Sequence, residues 1–202
     1  MPSANTNQAS VETRTLPTLG AMNETLPGKI VLAVCASAFV AICAHITVPL
    51  PFTPVPLTFS DFGVLLVGLA LGPVTGFMAL AMYLLEGASG MPVFNPHGLG
   101  GVAQLFGATG GYLITYPFAA AIAGAVSRTL ARVTPRFIAG LTASVLASTA
   151  LMVTGTIWLG FVGHLSASTA FTLGTAPFIP GQIVKVCAAA GIFASLQRFR
   201  RA

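Results

Sequence analysis

Lys185 stands near the start of an apolar run, Phe178 to Leu196, and is the only basic residue within it. If that run crosses a bilayer, a lysine inside it costs ~2.5–3.5 kcal/mol on insertion scales. The ammonium then needs a partner, a water-filled cavity or a route to the headgroups. One answer is snorkelling from an outer turn. The other is a cationic anchor for the carboxylate of a ligand. The surrounding residues, Pro177-Phe-Ile-Pro-Gly-Gln-Ile-Val-Lys185, favour a fixed helix start. Gln182 lies three residues before Lys185, so both project from one helical face. A cation beside an amide donor and acceptor suits an acid that carries a polar ring.

Glu86 is the only acid between residues 62 and 202 and marks the entry to a glycine-rich stretch. It could be an interfacial acid, an ion-pair partner of Lys185, or a binding group. Asp61 stands just before an apolar run and reads as an N-cap near free helix amides. The stretch Gly90-Met-Pro-Val-Phe-Asn-Pro-His-Gly-Leu-Gly-Gly101 lets backbone come close to a ligand. Phe94 and Asn95 would offer an apolar wall and an amide. His97 has no second ligand at metal spacing, so no metal site is expected. Gly110-Gly111-Tyr112 opens the next apolar run, and Tyr112 is either an interfacial tyrosine or an aromatic wall with a hydroxyl. The three cysteines, Cys35, Cys43 and Cys187, read as small buried hydrophobes. Trp158 reads as core or interface. No nucleophile–base pair, Gly-x-Ser-x-Gly or nucleotide-binding motif is present.

The elements that must position these residues follow from composition. Of 202 residues, 55% are hydrophobic and 6% charged, against about a quarter charged in soluble domains. Nine basic and four acidic residues cannot cover a soluble surface of this size. The reading is an all-α integral membrane protein, with residues 1–28 a disordered polar tail, 29–197 the membrane domain and 198–202 a basic tail. The net charge of +5 is no nucleic-acid footprint. Arg128, Arg132 and Arg136, then Arg198, Arg200 and Arg201, sit in short clusters that mark cytoplasmic loops.

Spans are expected over Ile30–Val48, Tyr112–Leu130, Ile138–Gly163 and Phe178–Leu196. The stretch Phe62–Leu85, broken by Gly72-Pro73, decides the topology. Taken as one span, it puts both arginine clusters outside. Taken as two short helices, with Pro73 opening the second, it puts both inside. Six transmembrane helices with cytoplasmic termini is therefore the expectation. Each short helix, ~15 residues or ~22 Å, falls short of a ~30 Å core and needs shielding by neighbours. The proline loop 49–60, the glycine loop 87–111 and the loop 164–177 then face outside, and none carries Lys or Arg. On the first span Ala33, Ser37 and Ala41 form a small-residue stripe, suited either to packing within the bundle or to docking on another membrane protein.

Four stretches, in this order, resemble the BioY family, the substrate-binding S components of energy-coupling-factor (ECF) transporters. They are Val48-Pro-Leu-Pro-Phe-Thr-Pro-Val-Pro-Leu-Thr58, Gly87-Ala-Ser-Gly-Met-Pro-Val-Phe94, Thr109-Gly-Gly-Tyr-Leu113 and Pro177–Lys185. The resemblance spans about residues 28–196. It implies a six-helix S-component fold, a biotin pocket near the outer face and a docking stripe at Ala33, Ser37 and Ala41. It also implies a transmembrane coupling protein and a pair of cytoplasmic ATPases as partners, with biotin as transported ligand and no cofactor. Lys185 matches the family's last-helix lysine, an anchor for the carboxylate or the ureido side. Gln182 departs from the family's more usual Asp, and Ala108 from its more usual Pro. The expectation is capture of biotin from outside, its fused ring among Phe94, Asn95, Tyr112 and Gln182, under the proline loop as lid. Another small acid such as lipoate, or a membrane enzyme or assembly factor using Glu86 and His97, are the competing readings.

Overall fold

The structure is a computed structural model that describes Met22 and residues 24–199. Tail residues 1–21, and Arg200 and Arg201 of the basic tail, lie outside the described residues. The first helix described along its whole length, α1, runs Leu26–His45, with the Thr25 hydroxyl accepting from the Gly28 amide as N-cap. Helix α1 thus opens at Leu26, three residues before the expected start of the membrane domain at residue 29. A two-residue antiparallel hairpin follows, β1 Thr47–Val48 paired with β2 Leu57–Thr58. Then come α2 Ser60–Leu71, α3 Pro73–Ala88, a short α4 Gly101–Phe106 and α5 Gly110–Leu130. The described residues close with α6 Arg136–Val162, α7 Ala167–Gly174, a 3₁₀ turn Ala176–Phe178 and α8 Ile179–Phe199.

Among the described residues, four helical stretches are long and apolar enough to cross a membrane, and α2 and α3 are two shorter apolar helices. The division of 62–85 at Gly72-Pro73 is what the structure shows. Gly72 has φ +84°, in the left-handed region where a side chain is strained. Pro73 takes the first helical position of α3, where its missing N–H costs nothing. Arg128 Nη2 donates to the Leu71 carbonyl at 2.9 Å and so covers an unsatisfied end of α2.

The short α2 is shielded along most of its surface. It packs against α1, α3, α5, α6 and α8, and nine of its 12 residues are buried. A helix apolar on every side belongs in the middle of a bundle. Around it α5 packs along α6, and α6 along α8. The outward faces carry exposed aliphatic and aromatic residues such as Ile42, Leu85, Ile157, Phe161 and Val184. Such a surface is stable against lipid and not against water.

The helix directions divide the bundle into two ends. One end gathers the hairpin loop, the glycine loop and the α6–α8 connection. The other gathers the α2–α3 turn, Arg128, Arg132 and Arg136, and the end of α8. There Arg136 Nη1 donates to the Gln197 carbonyl at 2.8 Å.

Candidate ligand-binding site

The arginine-free end encloses a cavity whose walls come from every long element and all three loops. Non-protein space within its lining, open mouth included, is about 620 Å³. Val55, Pro56, Leu57 and Thr58 of the hairpin cover one side. Asn95 and Thr109 come from the glycine loop, Phe178 from the third loop, and Leu151 and Met152 from α6. Tyr83, Tyr112 and Tyr116 supply aromatic walls, with the Tyr83 and Tyr116 rings stacked at 6.2 Å.

Lys185 lines this cavity and is 6% exposed, so it does not snorkel. Its ammonium donates to Asp61 Oδ1 at 2.8 Å, Asp61 Oδ2 at 3.1 Å and the Thr58 carbonyl at 2.6 Å. It also sits 5.7 Å from the centre of the Phe59 ring. Glu86 was one partner the sequence left open for Lys185, and the partner found is Asp61. Asp61 is not the N-cap either. Helix α2 begins at Ser60, and the Asp61 carboxylate turns inward to the lysine. The reason is energetic: a buried ammonium without a counter-ion is far costlier than an uncapped helix amide.

Glu86 lies outside the cavity lining. Its carboxylate accepts a short hydrogen bond from the Ser37 hydroxyl of α1. Ser37 belongs to the small-residue stripe of α1. Ser37 and Ala33 are buried and Ala41 is half-buried, so these residues pack inside the bundle, where small side chains let α1 approach α3 closely.

The remaining expected residues fall as follows. Gln182 is 7% exposed and lines the cavity; its Nε2 donates to Ser148 Oγ at 2.7 Å, while Oε1 is buried without a partner. Asn95 lines the cavity, and its Oδ1 accepts from the His97 amide in a local turn. Tyr112 lines it too, its hydroxyl bound to the Gly174 carbonyl at 2.6 Å. Gly155 makes room for that ring: a Cβ there would lie 2.2 Å from it. Phe94 is buried behind the wall, edge-on to Tyr83 at 5.4 Å. His97 is exposed in its loop, and among the described residues no three His, Cys, Asp or Glu gather as for a metal ion.

Sequence reasoning missed Asp61, Ser60, Tyr83 and Tyr116 as lining residues. The Ser60 hydroxyl bridges Thr58 Oγ1 at 2.7 Å and Tyr116 at 2.6 Å, joining hairpin, α2 and α5. A second tie fastens the hairpin loop from above, Thr53 Oγ1 donating to the Leu173 carbonyl at 2.7 Å. The proline loop is therefore a cover held at both its tip and its base. Trp158 anchors the glycine loop by donating to the Gly107 carbonyl at 3.0 Å.

A bundle of apolar, span-length helices around a mainly apolar cavity with a few convergent polar groups defines a membrane protein with a small-molecule site. The family model for BioY matches residues 13–202, and the chain belongs to the BioY family. Among similar proteins, the probable biotin transporter BioY of Pyrococcus horikoshii is 41% identical over 71% of this chain and 82% of its own length. Biotin transporter BioY of Rhodobacter capsulatus is 32% identical over 88% and 94% respectively. The crystal structure of the S-component for biotin from an ECF-type ABC transporter superposes with a TM-score of 0.76. It covers 84% of this chain and 90% of that one at 24% identity, so the fold is that of an ECF S-component.

Proposed function

We propose that this chain captures biotin at the outer face of the cytoplasmic membrane and carries it inward, as the S component of an ECF transporter. The observation that carries the reading is Gln182 Oε1, a buried acceptor without a partner in the wall of the cavity. In a BioY-family chain, an acceptor so placed calls for an N–H donor on the ligand. The ureido ring of biotin has two such donors and a carbonyl acceptor. Its sulfur ring and aliphatic chain suit Tyr83, Tyr116, Leu151, Met152 and Phe178. The dithiolane ring of lipoate has no N–H and would leave Gln182 unsatisfied. Asn95 and Tyr112 complete the ring site, with Phe94 supporting Tyr83.

Outward placement of the cavity is supported by the arginines at the opposite end, which the positive-inside rule puts in the cytoplasm together with both termini. The chain has no nucleotide-binding motif, so ATP is spent by partners, a transmembrane coupling protein and a pair of ATPases.

Equilibrium binding of radiolabelled biotin to the purified protein tests the reading. Saturable binding that a large excess of lipoate leaves in place is the expected result. No saturable biotin binding, or displacement by lipoate at equal concentration, overturns it.

A further inference from the structure

An isolated lysine in a ligand cavity invites the view that it grips the ligand's carboxylate. The geometry points to the opposite: we infer that this site makes no use of biotin's negative charge. Its specificity is for the neutral ring, and the carboxylate lies away from Lys185.

The argument starts from the three N–H groups of the ammonium. They face three acceptors, both Asp61 oxygens and the Thr58 carbonyl, all within 3.1 Å. The Phe59 ring takes part of the remaining surface of the cation. Lys185 is the only basic side chain that lines the cavity among the described residues. Asp61 is 8% exposed, and Lys185 is its ion-pair partner. A ligand carboxylate could reach the ammonium only by displacing Asp61, leaving that carboxylate buried without a cation, or by sharing it. Sharing sets two carboxylates around one ammonium in a water-poor site. Both arrangements are costly. The pair is thus neutral in sum, and the group still asking for a partner, Gln182 Oε1, is an uncharged acceptor. Asp61 is the residue that determines this specificity.

This inference rests on the biotin reading, and one pair of ligands separates the two. Biotin primary amide has nearly the size of biotin and no charge. Calorimetry on the purified full chain should give dissociation constants for biotin and its amide that agree within a factor of about five, equivalent to ~1 kcal/mol. Biotin binding with the amide weaker by more than that overturns the inference and leaves the function standing. Failure of both ligands to bind overturns the function. Asp61→Asn supplies the second arm, because it frees the charge of Lys185. The variant should now prefer biotin over the amide by more than about tenfold, as expected for a newly available charged hydrogen bond. An Asp61→Asn protein that binds both ligands equally overturns the assignment to Asp61.

Discussion

At the scale of single residues, the Asp61–Lys185 pair couples stability to the site. Both side chains are buried, at 11% and 7% exposed. Removing one partner leaves an uncompensated charge and costs about 3–5 kcal/mol, whereas replacing both with apolar groups is often neutral. Lys185→Met should therefore lower the melting temperature in detergent sharply, and adding Asp61→Leu should recover most of the loss. A double variant no more stable than Lys185→Met would show that the pair is not the source. Gln182→Ala removes the unpartnered acceptor and should raise the dissociation constant of biotin about ten- to a hundredfold, the effect of ~1–3 kcal/mol for one buried hydrogen bond. The two residues were not equally legible. Gln182 and Lys185 share a helical face and a sequence motif, so their common wall could be read directly. Asp61 lies 124 residues from Lys185, and its place at a helix start has an adequate local explanation as a cap. Local pattern alone does not tell which carboxylate a lysine will choose. Glu86, left open by the sequence as one possible partner, is instead turned by α3 toward Ser37 of α1.

At the scale of elements, the break between α2 and α3 was legible and the cover over the cavity was not. Gly-Pro in an apolar run has a definite backbone meaning, and the charge rule required two helices there. The hairpin Thr47–Val48 with Leu57–Thr58 is two residues deep and surrounded by prolines, so no alternation marks it. Helices α4 and α7, of 6 and 8 residues, are likewise too short to show a period. These elements can be tested separately. Gly72→Ala puts a side chain at φ +84°, and its Cβ would lie 2.0 Å from the Arg128 guanidinium. The arginine must move and release the Leu71 carbonyl. The expected loss is about 1–2 kcal/mol of stability, read as a lower melting temperature with biotin affinity retained. Thr53→Val cuts the tie between the hairpin loop and Leu173. The cover then opens more readily, and biotin should dissociate about three- to tenfold faster, the effect of ~1 kcal/mol, in a pulse-chase release assay.

For the whole molecule, charge and cavity divide the bundle the same way, and the agreement has a physical reason. Basic residues resist transfer across the membrane during insertion, so the loops that cross are those without them. In the proposed orientation these are the hairpin loop, the glycine loop and the α6–α8 connection, the same three that line the cavity's end of the bundle. Freed of lysine and arginine, they can pack prolines, glycines and aromatic residues over a ligand without exposing it to competing cations. That division predicts the orientation of the chain. In a cysteine-free background, Ser168→Cys on the exposed start of α7 should react with a membrane-impermeant maleimide in intact cells. Arg132→Cys, exposed in the loop between α5 and α6, should react only after the cells are opened. The reverse pattern would place the cavity on the cytoplasmic side and would be incompatible with capture from outside. Labelling of Ser168→Cys should also survive saturation with biotin, because α7 lies above the cavity wall and contributes no lining residue.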